Sequence, residues 1–242
     1  MTASTATVPR FAGRVAVVTG ASRGLGAAVA HRLAAEGAQV VLVARTQGAL
    51  EQLDDAIQAA GGTRAILAPF DLTDGPQVDR LGLALYERFG RVDILVGAAA
   101  MLGSLSPLGH VDPPDWEKTI AVNLTANWRL LRSLDPLLRR SEAGRAVFVT
   151  AAQARDATAY WGPYAVSKAG LEALARLYAA EIAHTPIRVN LVDPGPFRSR
   201  LRTQAFPGED QGVLPDPVSL TDLVLDLATP QCQRNGELAT AR

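Results

Sequence analysis

Residues 15–26 read "VAVVTGASRGLG", and this segment is the strongest indication of the fold class of the chain. A run of β-branched apolar residues leads into a glycine-rich turn, and leucines and alanines with helical spacing follow. A strand, a turn and a helix in this order can place a pyrophosphate at the helix N-terminus, where free N–H groups and the helix dipole stabilise negative charge. The spacing of Gly20, Gly24 and Gly26 differs from the common Gly-x-Gly-x-x-Gly fingerprint. The turn by itself therefore indicates either a dinucleotide site or a purely structural turn.

The same alternation of apolar run and helical segment continues along the chain. Further apolar runs occupy residues 39–44, 65–68, 92–96, 146–150 and 187–192, and helical spacing occurs in residues 25–35, 47–60, 76–89, 116–138 and 164–184. Runs that are apolar on both faces are typical of the buried strands of a parallel sheet. The sequence therefore predicts an α/β fold, a single doubly wound domain with a parallel sheet of six to seven strands flanked by helices.

Charge and composition exclude several classes of protein. The 242 residues include 24 Lys and Arg against 24 Asp and Glu, and this balance argues against a nucleic-acid binder. The single cysteine, Cys232, excludes an intrachain disulfide and fits a reducing compartment. Because His31, His110 and His184 lack metal-ligand spacing, no metal site is predicted. No apolar run approaches the roughly 20 residues that span a bilayer, so no membrane association is expected.

The ends of the chain and two long loops complete the predicted organisation. The N-terminal stretch "MTASTATVPR" lacks the basic and apolar regions of a secretory signal. We expect a flexible arm over residues 1–12, a single domain over residues 13–242 and a cytoplasmic protein. The loops at residues 103–115 and 193–217 follow predicted strands, at the edge where open α/β sheets bind ligands. They are the expected walls of a pocket for a small-molecule substrate.

The end of the second predicted strand indicates the cofactor. An NAD site usually has an acidic residue there, which binds the ribose 2′-hydroxyl. This chain has Ala44 and Arg45 instead, and Arg23 lies in the glycine turn. Two guanidinium groups would suit a 2′-phosphate, because arginine forms bidentate charge-assisted bonds. NADP(H) is therefore favoured over NAD(H), and the alternative is that both arginines are solvated surface residues.

The segment Tyr164-Ala-Val-Ser-Lys168 carries the candidate chemistry. Positions i and i+4 share one face of a helix, so the ammonium group of Lys168 is expected beside the phenol of Tyr164. A neighbouring positive charge would lower the pKa of the phenol and prepare it for proton transfer to or from a substrate oxygen. Such a pair also occurs by chance on helix surfaces, so it needs the other motifs for support.

Taken together, the motifs resemble those of the short-chain dehydrogenase/reductase family over about residues 14–199. The resemblance includes "TGASRGLG", "FDLTD", "RVDILV", "VNL", "YAVSK" and "NLVDPGPFRS" in this order. It implies a Rossmann fold, an adenine contact at Asp71, a proton relay through Asn123, a ribose contact at Lys168 and closure of residues 194–199 over the nicotinamide. The predicted catalytic residues are Tyr164, Lys168 and Asn123. The predicted cofactor-binding residues are Gly20, Ser22, Arg23, Gly24, Leu25, Gly26, Arg45, Asp71, Leu72, Tyr164, Lys168, Pro194, Gly195, Phe197 and Ser199.

Two departures from the family pattern leave the function open. The serine that the family has thirteen residues before its tyrosine is Ala151 here, and "GAAA" at residues 97–100 replaces Asn-Asn-Ala-Gly. The first hypothesis is an NADP(H)-dependent oxidoreductase that transfers a hydride between the nicotinamide and a carbonyl or secondary alcohol. The second is a catalytically weak or inactive NADP(H)-binding protein, either a sensor or an assembly subunit. The resemblance also implies a homodimer or homotetramer built on helix 164–184 and the long helix before it.

Overall fold

Seven parallel strands form one sheet within residues 9–241, the part of the chain that this computed structural model describes. The strands are β1 (Val15–Thr19), β2 (Gln39–Ala44), β3 (Ile66–Pro69), β4 (Ile94–Gly97), β5 (Arg145–Val149), β6 (Arg188–Asp193) and β7 (Leu238–Thr240). Their order across the sheet is β3-β2-β1-β4-β5-β6-β7, and every neighbouring pair is parallel. The strand order reverses between β1 and β4, which is where a doubly wound sheet opens a crevice for ligands. The predicted fold class is confirmed.

Helices cover both faces of the sheet. They are α1 (Gly24–Ala35), α2 (Gln47–Ala59), α3 (Gly75–Phe89), α4 (Pro113–Ile120), α5 (Ala126–Leu138), α6 (Gly162–Glu181), α7 (Arg200–Ala205) and α8 (Thr221–Ala228). Alternate residues of β1 enter two separate cores: Val15 and Val17 pack with α3, α5 and α6, whereas Ala16 and Val18 pack with α1, α2 and α8. This alternation explains why the strands are apolar throughout, since each strand is buried on both faces.

The predicted helix over residues 116–138 contains a turn of π-helix. α4 and α5 are joined by the π-helical residues Ala121–Thr125 without a break in the helical path. A π-turn inserts an extra residue and changes which side chains face inward, and such turns are frequent at functional sites. Here it accompanies the complete burial of Asn123.

The N-terminal end of the described chain is packed against the domain. The side chain of Phe11 is fully buried in the core between the sheet and α1. Arg10 forms ion pairs with Glu36 at the end of α1 and, at 3.2 Å, with Asp226 of α8. Residues 9–12, which the sequence assigned to a flexible arm, thus belong to the folded domain because Phe11 contributes to its core. Residues 1–8 of the expected arm lie outside the described residues.

Candidate active site

A cleft of about 700 Å³ opens at the carboxyl ends of the strands. Its walls come from the turn after β1, the ends of β2, β4, β5 and β6, and the N-terminal half of α6. The predicted cofactor-binding residues that line it are Gly20, Ser22, Arg23, Gly24, Leu25, Gly26, Arg45, Leu72, Tyr164, Lys168, Pro194, Gly195, Phe197 and Ser199. Asp71 and Asn123 are the two predicted site residues that do not line the cleft. The structure therefore brings together residues that are up to 179 positions apart, from Gly20 to Ser199.

The glycine turn after β1 fits a bound pyrophosphate. A Cβ atom on Gly20, whose φ is +67°, would lie 2.8 Å from the backbone of Ala99, and one on Gly26 would lie 2.5 Å from the carbonyl oxygen of Gly20. These glycines therefore allow the close packing of turn, helix and strand. Arg23 precedes α1 in an extended conformation and makes no side-chain cap, and the first turn of α1 has no acidic residue. The N–H groups at this helix end are available to an anion.

The edge of the cleft next to β2 carries positive charge. Arg45 is exposed, and its Nη1 lies 3.8 Å from the Oδ2 atom of Asp71. Asp71 accepts hydrogen bonds from the backbone N–H and the hydroxyl of Thr73, at 2.9 and 2.8 Å. Burial alone would raise the pKa of Asp71, but these bonds and the charge of Arg45 lower the pKa below its ordinary value. Arg23 is also exposed at the cleft, so both guanidinium groups are available to an anionic group of a ligand.

Tyr164 and Lys168 are both buried on one face of α6. The Nζ atom of Lys168 donates to the carbonyl oxygen of Val149 at 2.7 Å and lies 5.7 Å from the centroid of the Tyr164 ring. Burial lowers the pKa of Lys168 to about 8, although the negative charge of Asp193 opposes this change. The sequence correctly placed the two side chains together.

The predicted direction of the Tyr164 pKa is wrong for this structure. Burial raises the pKa of the phenol well above its ordinary value, and the charge of Asp193 raises it further. The charge of Lys168 alone would lower the pKa of Tyr164. Desolvation dominates instead, because it penalises the charged forms of both the phenol and the ammonium group. Tyr164 is therefore a protonated phenol over the whole physiological pH range.

Asn123 connects the loop after β4 to α6. Its Oδ1 accepts from the N–H of Met101, and its Nδ2 donates to the carbonyl of Met101 and to the hydroxyl of Ser167, each at 2.9 Å. Its backbone carbonyl accepts from Nδ2 of Asn127 at 2.8 Å. Lys168 is not a direct hydrogen-bond partner of Asn123 among the described residues. The side chain thus holds the walls of the cleft in register, and a relay to Lys168 would require a bridging water.

The "GAAA" segment is held by Thr19 and lies beside Asn127 of α5. The N–H groups of Ala98 and Ala99 donate to the hydroxyl of Thr19 at 3.2 and 3.3 Å. The Oδ1 atom of Asn127 lies 2.6 Å from the position that a Cβ atom on Gly97 would occupy. An amide from α5 therefore occupies space that the larger family residue at position 97 would fill. Asn127 was not predicted as a site residue. Its position four residues after Asn123 could have indicated it, because this spacing places two side chains on one face of a helix.

Ala151 lies in an apolar part of the cleft. It packs against a cluster of Leu102, Trp161 and Tyr164, with the rings of Trp161 and Tyr164 edge to face at 5.9 Å between centroids. Leu201 and Ala205 of the segment after β6 pack against the same cluster. The substrate end of the cleft is therefore mostly apolar around the phenol of Tyr164.

The two predicted pocket loops meet this apolar part of the cleft. In the loop at residues 103–115, Ser106 forms a β-bridge to Trp161 and its N–H donates to the carbonyl of Tyr160 at 3.0 Å. In the loop at residues 193–217, Phe206 lies 5.9 Å from Trp161 between ring centroids, and the guanidinium of Arg202 stacks on Phe206 at 3.8 Å. Both loops thus contact Trp161. His110 is exposed on the first loop and does not line the cleft.

An ion cluster that the sequence did not reveal supports the site from behind. Arg155 pairs with both Glu172 of α6 and Asp193 at the end of β6, and both carboxylates are buried. Glu172 also accepts from the hydroxyl of Thr150 at 3.0 Å and from Arg176 at 2.8 Å. The cluster ties the turn after β5 to α6 and β6. No local spacing could indicate it, since its members come from three elements.

Metal-binding clusters and membrane-spanning helices are both absent from the described part of the chain. Residues 9–241 contain no group of three or more His, Cys, Asp or Glu side chains arranged to hold a metal ion. None of the helices in this range is long and apolar enough to cross a membrane.

Comparison with known proteins identifies the family. The profile of the short chain dehydrogenase family matches residues 14–210. The oxidoreductase YciK of Escherichia coli strain K12 is 32% identical over 223 residues, which cover 91% of this chain and 88% of YciK. A short chain dehydrogenase from Pseudomonas syringae superposes with a TM-score of 0.94 at 35% identity over the whole of both chains. Another, from Escherichia coli CFT073 in complex with NADPH, has a TM-score of 0.93 at 31% identity, covering 97% of this chain and 98% of its own. The chain belongs to the short-chain dehydrogenase/reductase family, an oxidoreductase family that binds nicotinamide cofactors.

Proposed function

We propose that this protein is an NADP(H)-dependent oxidoreductase that interconverts a carbonyl compound and a secondary alcohol. The observation that carries the proposal is the position of Tyr164 and Lys168 in the same cleft as the glycine turn. When bound, NADP(H) supplies a hydride to the carbonyl carbon or accepts one from the alcohol. Tyr164 gives the matching proton to the substrate oxygen or takes it back.

The protonation states of Tyr164 and Lys168 determine what each group contributes to the reaction. Tyr164 is a protonated phenol at neutral pH and donates its proton to the substrate oxygen in carbonyl reduction, although its raised pKa makes it a weaker acid than a phenol in water. Lys168, with a pKa of about 8, carries a positive charge at neutral pH and stabilises negative charge that develops on the tyrosine oxygen. In this proposal Lys168 also contacts the nicotinamide ribose, and Asn123 positions the walls of the cleft around both residues.

The preference for NADP(H) rests on Arg45 and Arg23, with support from the NADPH complex of the Escherichia coli CFT073 relative. We predict that Arg45→Ala weakens NADPH binding by roughly 10-fold, because it removes a charge-assisted contact to the 2′-phosphate. NADH lacks that phosphate, so its affinity should change little. Calorimetric titration of both cofactors into both proteins measures this. Equal losses for NADPH and NADH would contradict the proposed role of Arg45.

A second function remains in competition because of Ala151. Without the serine hydroxyl, the chain could bind NADP(H) tightly and turn over no substrate, as a sensor or an assembly subunit would. The retained Tyr164, Lys168 and Asn123 favour the enzyme. A cleft that is lined near Tyr164 by the apolar residues Leu102, Trp161 and Leu201 is also more than a cofactor-binding protein needs.

A panel of carbonyl compounds tests the proposal directly. Purified protein and NADPH are mixed with acetophenone, 1-phenyl-1,2-propanedione, 9,10-phenanthrenequinone or an acetoacetyl thioester, and the loss of NADPH absorbance is followed. The apolar surroundings of Tyr164 predict turnover of at least one aromatic compound. Tight NADPH binding without turnover of any compound would favour the sensor or assembly subunit.

The remaining expectations concern the assembly and the location of the enzyme. We propose a homodimer or homotetramer that buries the outer surfaces of α5 and α6, where Trp128, Val166 and Leu177 are exposed. The small exposed residues Ala169 and Ala173 on α6 allow close approach of a second helix. A reducing, cytoplasmic environment fits the single cysteine.

A further inference from the structure

We infer that Gln153 supplies the hydrogen bond to the substrate oxygen that the family obtains from serine at the position of Ala151. This inference rests on the proposed function and assigns a substrate-binding residue to the same site. Gln153 lies on the 3₁₀ turn Ala152–Ala154, two residues after Ala151, and lines the same cleft.

The hydrogen-bonding of the neighbouring side chains leaves Gln153 as the free donor in this segment. Within residues 150–154, only Thr150 and Gln153 have polar side chains. The hydroxyl of Thr150 is buried and donates to the carboxylate of Glu172 at 3.0 Å. Gln153 is half-buried, and its carboxamide makes no hydrogen bond to another residue in the described part of the chain. Its N–H groups are therefore available to a ligand in the cleft.

The turn that carries Gln153 is held by its own backbone hydrogen bonds and by the ion pairs of Arg155. The N–H of Ala154 donates to the carbonyl of Ala151 at 3.0 Å, and the N–H of Arg155 donates to the carbonyl of Ala152 at 2.8 Å. The next residue, Arg155, is ion-paired with Glu172 and Asp193. The backbone that carries the donor is therefore held in place, so binding an oxygen has to order only the side chain of Gln153.

The chemistry requires only a donor at this position. In the reductive direction the carbonyl carbon gains a hydride from NADPH and the oxygen gains the phenol proton of Tyr164. The second donor to this oxygen, beside Tyr164, neither gains nor loses a proton. It only donates a hydrogen bond to the negative charge that forms on the oxygen. A primary amide does this as a hydroxyl does. Ala151 then leaves the room that the longer side chain of Gln153 needs.

The assignment is tested by measuring kcat for four variants. The substrate is the compound of the carbonyl panel that the wild-type protein reduces fastest. Gln153→Met keeps the length of the side chain but removes its donor, and it should lower kcat about 10- to 100-fold. Gln153→Glu, which has an acceptor in place of the donor, should lose at least as much. Ala151→Ser restores the family hydroxyl, and Ala151→Ser with Gln153→Met should recover most of the activity that Gln153→Met loses. An unchanged kcat in Gln153→Met, or equal losses with and without the serine, would overturn the assignment.

A binding measurement separates failure of this assignment from failure of the proposed function. The fluorescence of protein-bound NADPH is titrated with acetophenone and with α-methylstyrene, which has a methylene group in place of the oxygen. Wild-type protein should prefer the ketone, and Gln153→Met should lose most of that preference while NADPH affinity is unchanged. If no compound is turned over but this preference depends on Gln153, the oxidoreductase proposal fails and the donor assignment stands. The same ketone preference in both proteins would overturn the assignment whether or not turnover is seen.

Discussion

Burial changes the acid–base properties of Tyr164 and Lys168 in opposite directions. The phenol holds its proton more strongly than it would in water, and the ammonium holds its proton less strongly. The Tyr-x-x-x-Lys motif predicts which two groups meet, because the spacing alone places them on one helix face. It cannot predict how deeply the helix buries them, since that depends on Trp161, Leu102 and the segment after β6.

The lowered pKa of Lys168 has a measurable effect on stability. Its pKa is 10.5 ordinarily and about 8 in the folded protein, so the folded state binds the proton less tightly. The resulting penalty is fully present below pH 8 and disappears as pH rises to 10.5, and it amounts to about 3 kcal/mol at most. Lys168→Met removes the penalty but leaves the carbonyl of Val149 without its donor, which costs about 1 kcal/mol.

We therefore predict that Lys168→Met is more stable than wild type at pH 7 by roughly 1–2 kcal/mol. The advantage should shrink as pH rises from 8 towards 10.5, because the folded wild-type protein then loses the lysine proton and no longer holds a buried charge, while the unfolded chain keeps its proton. Urea denaturation of both proteins at a series of pH values measures the difference in the free energy of unfolding. A difference that grows with pH would show that the folded-state pKa of Lys168 is not lowered.

The turn after β5 depends on Arg155, which contacts carboxylates of two other elements. Arg155→Ala leaves Glu172 and Asp193 buried with less compensating charge, and about a third of the Arg155 side chain is exposed. We predict a loss of roughly 2–4 kcal/mol in the free energy of unfolding. Arg176→Ala is the matched control, because Arg176 contacts Glu172 from a half-exposed position and should cost less than about 1 kcal/mol. Equal losses in the two variants would contradict the importance of the buried cluster.

Elements with local signals were predictable from the sequence, and long-range partners were not. The strands and helices around the glycine turn follow from periodic runs, and α6 begins two residues before the predicted Tyr164. The π-helical turn that accompanies burial of Asn123 has no such signal, because residues 116–138 read as one continuous helix. Phe11 falls within the arm expected over residues 1–12, and no local pattern marks it as a core residue. Its burial depends on α1 and the sheet.

The proposed homodimer or homotetramer can be tested by substitutions on the outer surface of α6. Leu177 on α6 is 64% exposed in the single chain, and Trp128 of α5 and Val166 of α6 are exposed on the same two helices, which the proposed assembly would bury. We predict that light scattering at micromolar concentration gives two or four times the mass of one chain. Leu177→Asp should shift the protein towards the monomer, because burial of a charge in an apolar interface is unfavourable. A wild-type monomer under these conditions would contradict the proposed assembly.

A control on another helix checks the location of the interface. Leu83 on α3 is 59% exposed, so Leu83→Asp introduces the same charge at a similar apolar site outside α5 and α6. Its mass should equal that of the wild type. If Leu83→Asp dissociates the protein and Leu177→Asp does not, the interface lies on α3 instead.

We propose that Tyr164 transfers the proton in an NADPH-dependent reduction. Tyr164→Phe removes one oxygen from a buried ring that packs against Trp161, and the shape of the site is retained. The decisive measurement is kcat for the best carbonyl compound, together with the NADPH dissociation constant, in wild type and Tyr164→Phe. We predict that kcat falls about 10²- to 10⁴-fold while NADPH affinity stays close to that of the wild type. An undiminished kcat in Tyr164→Phe would contradict the account.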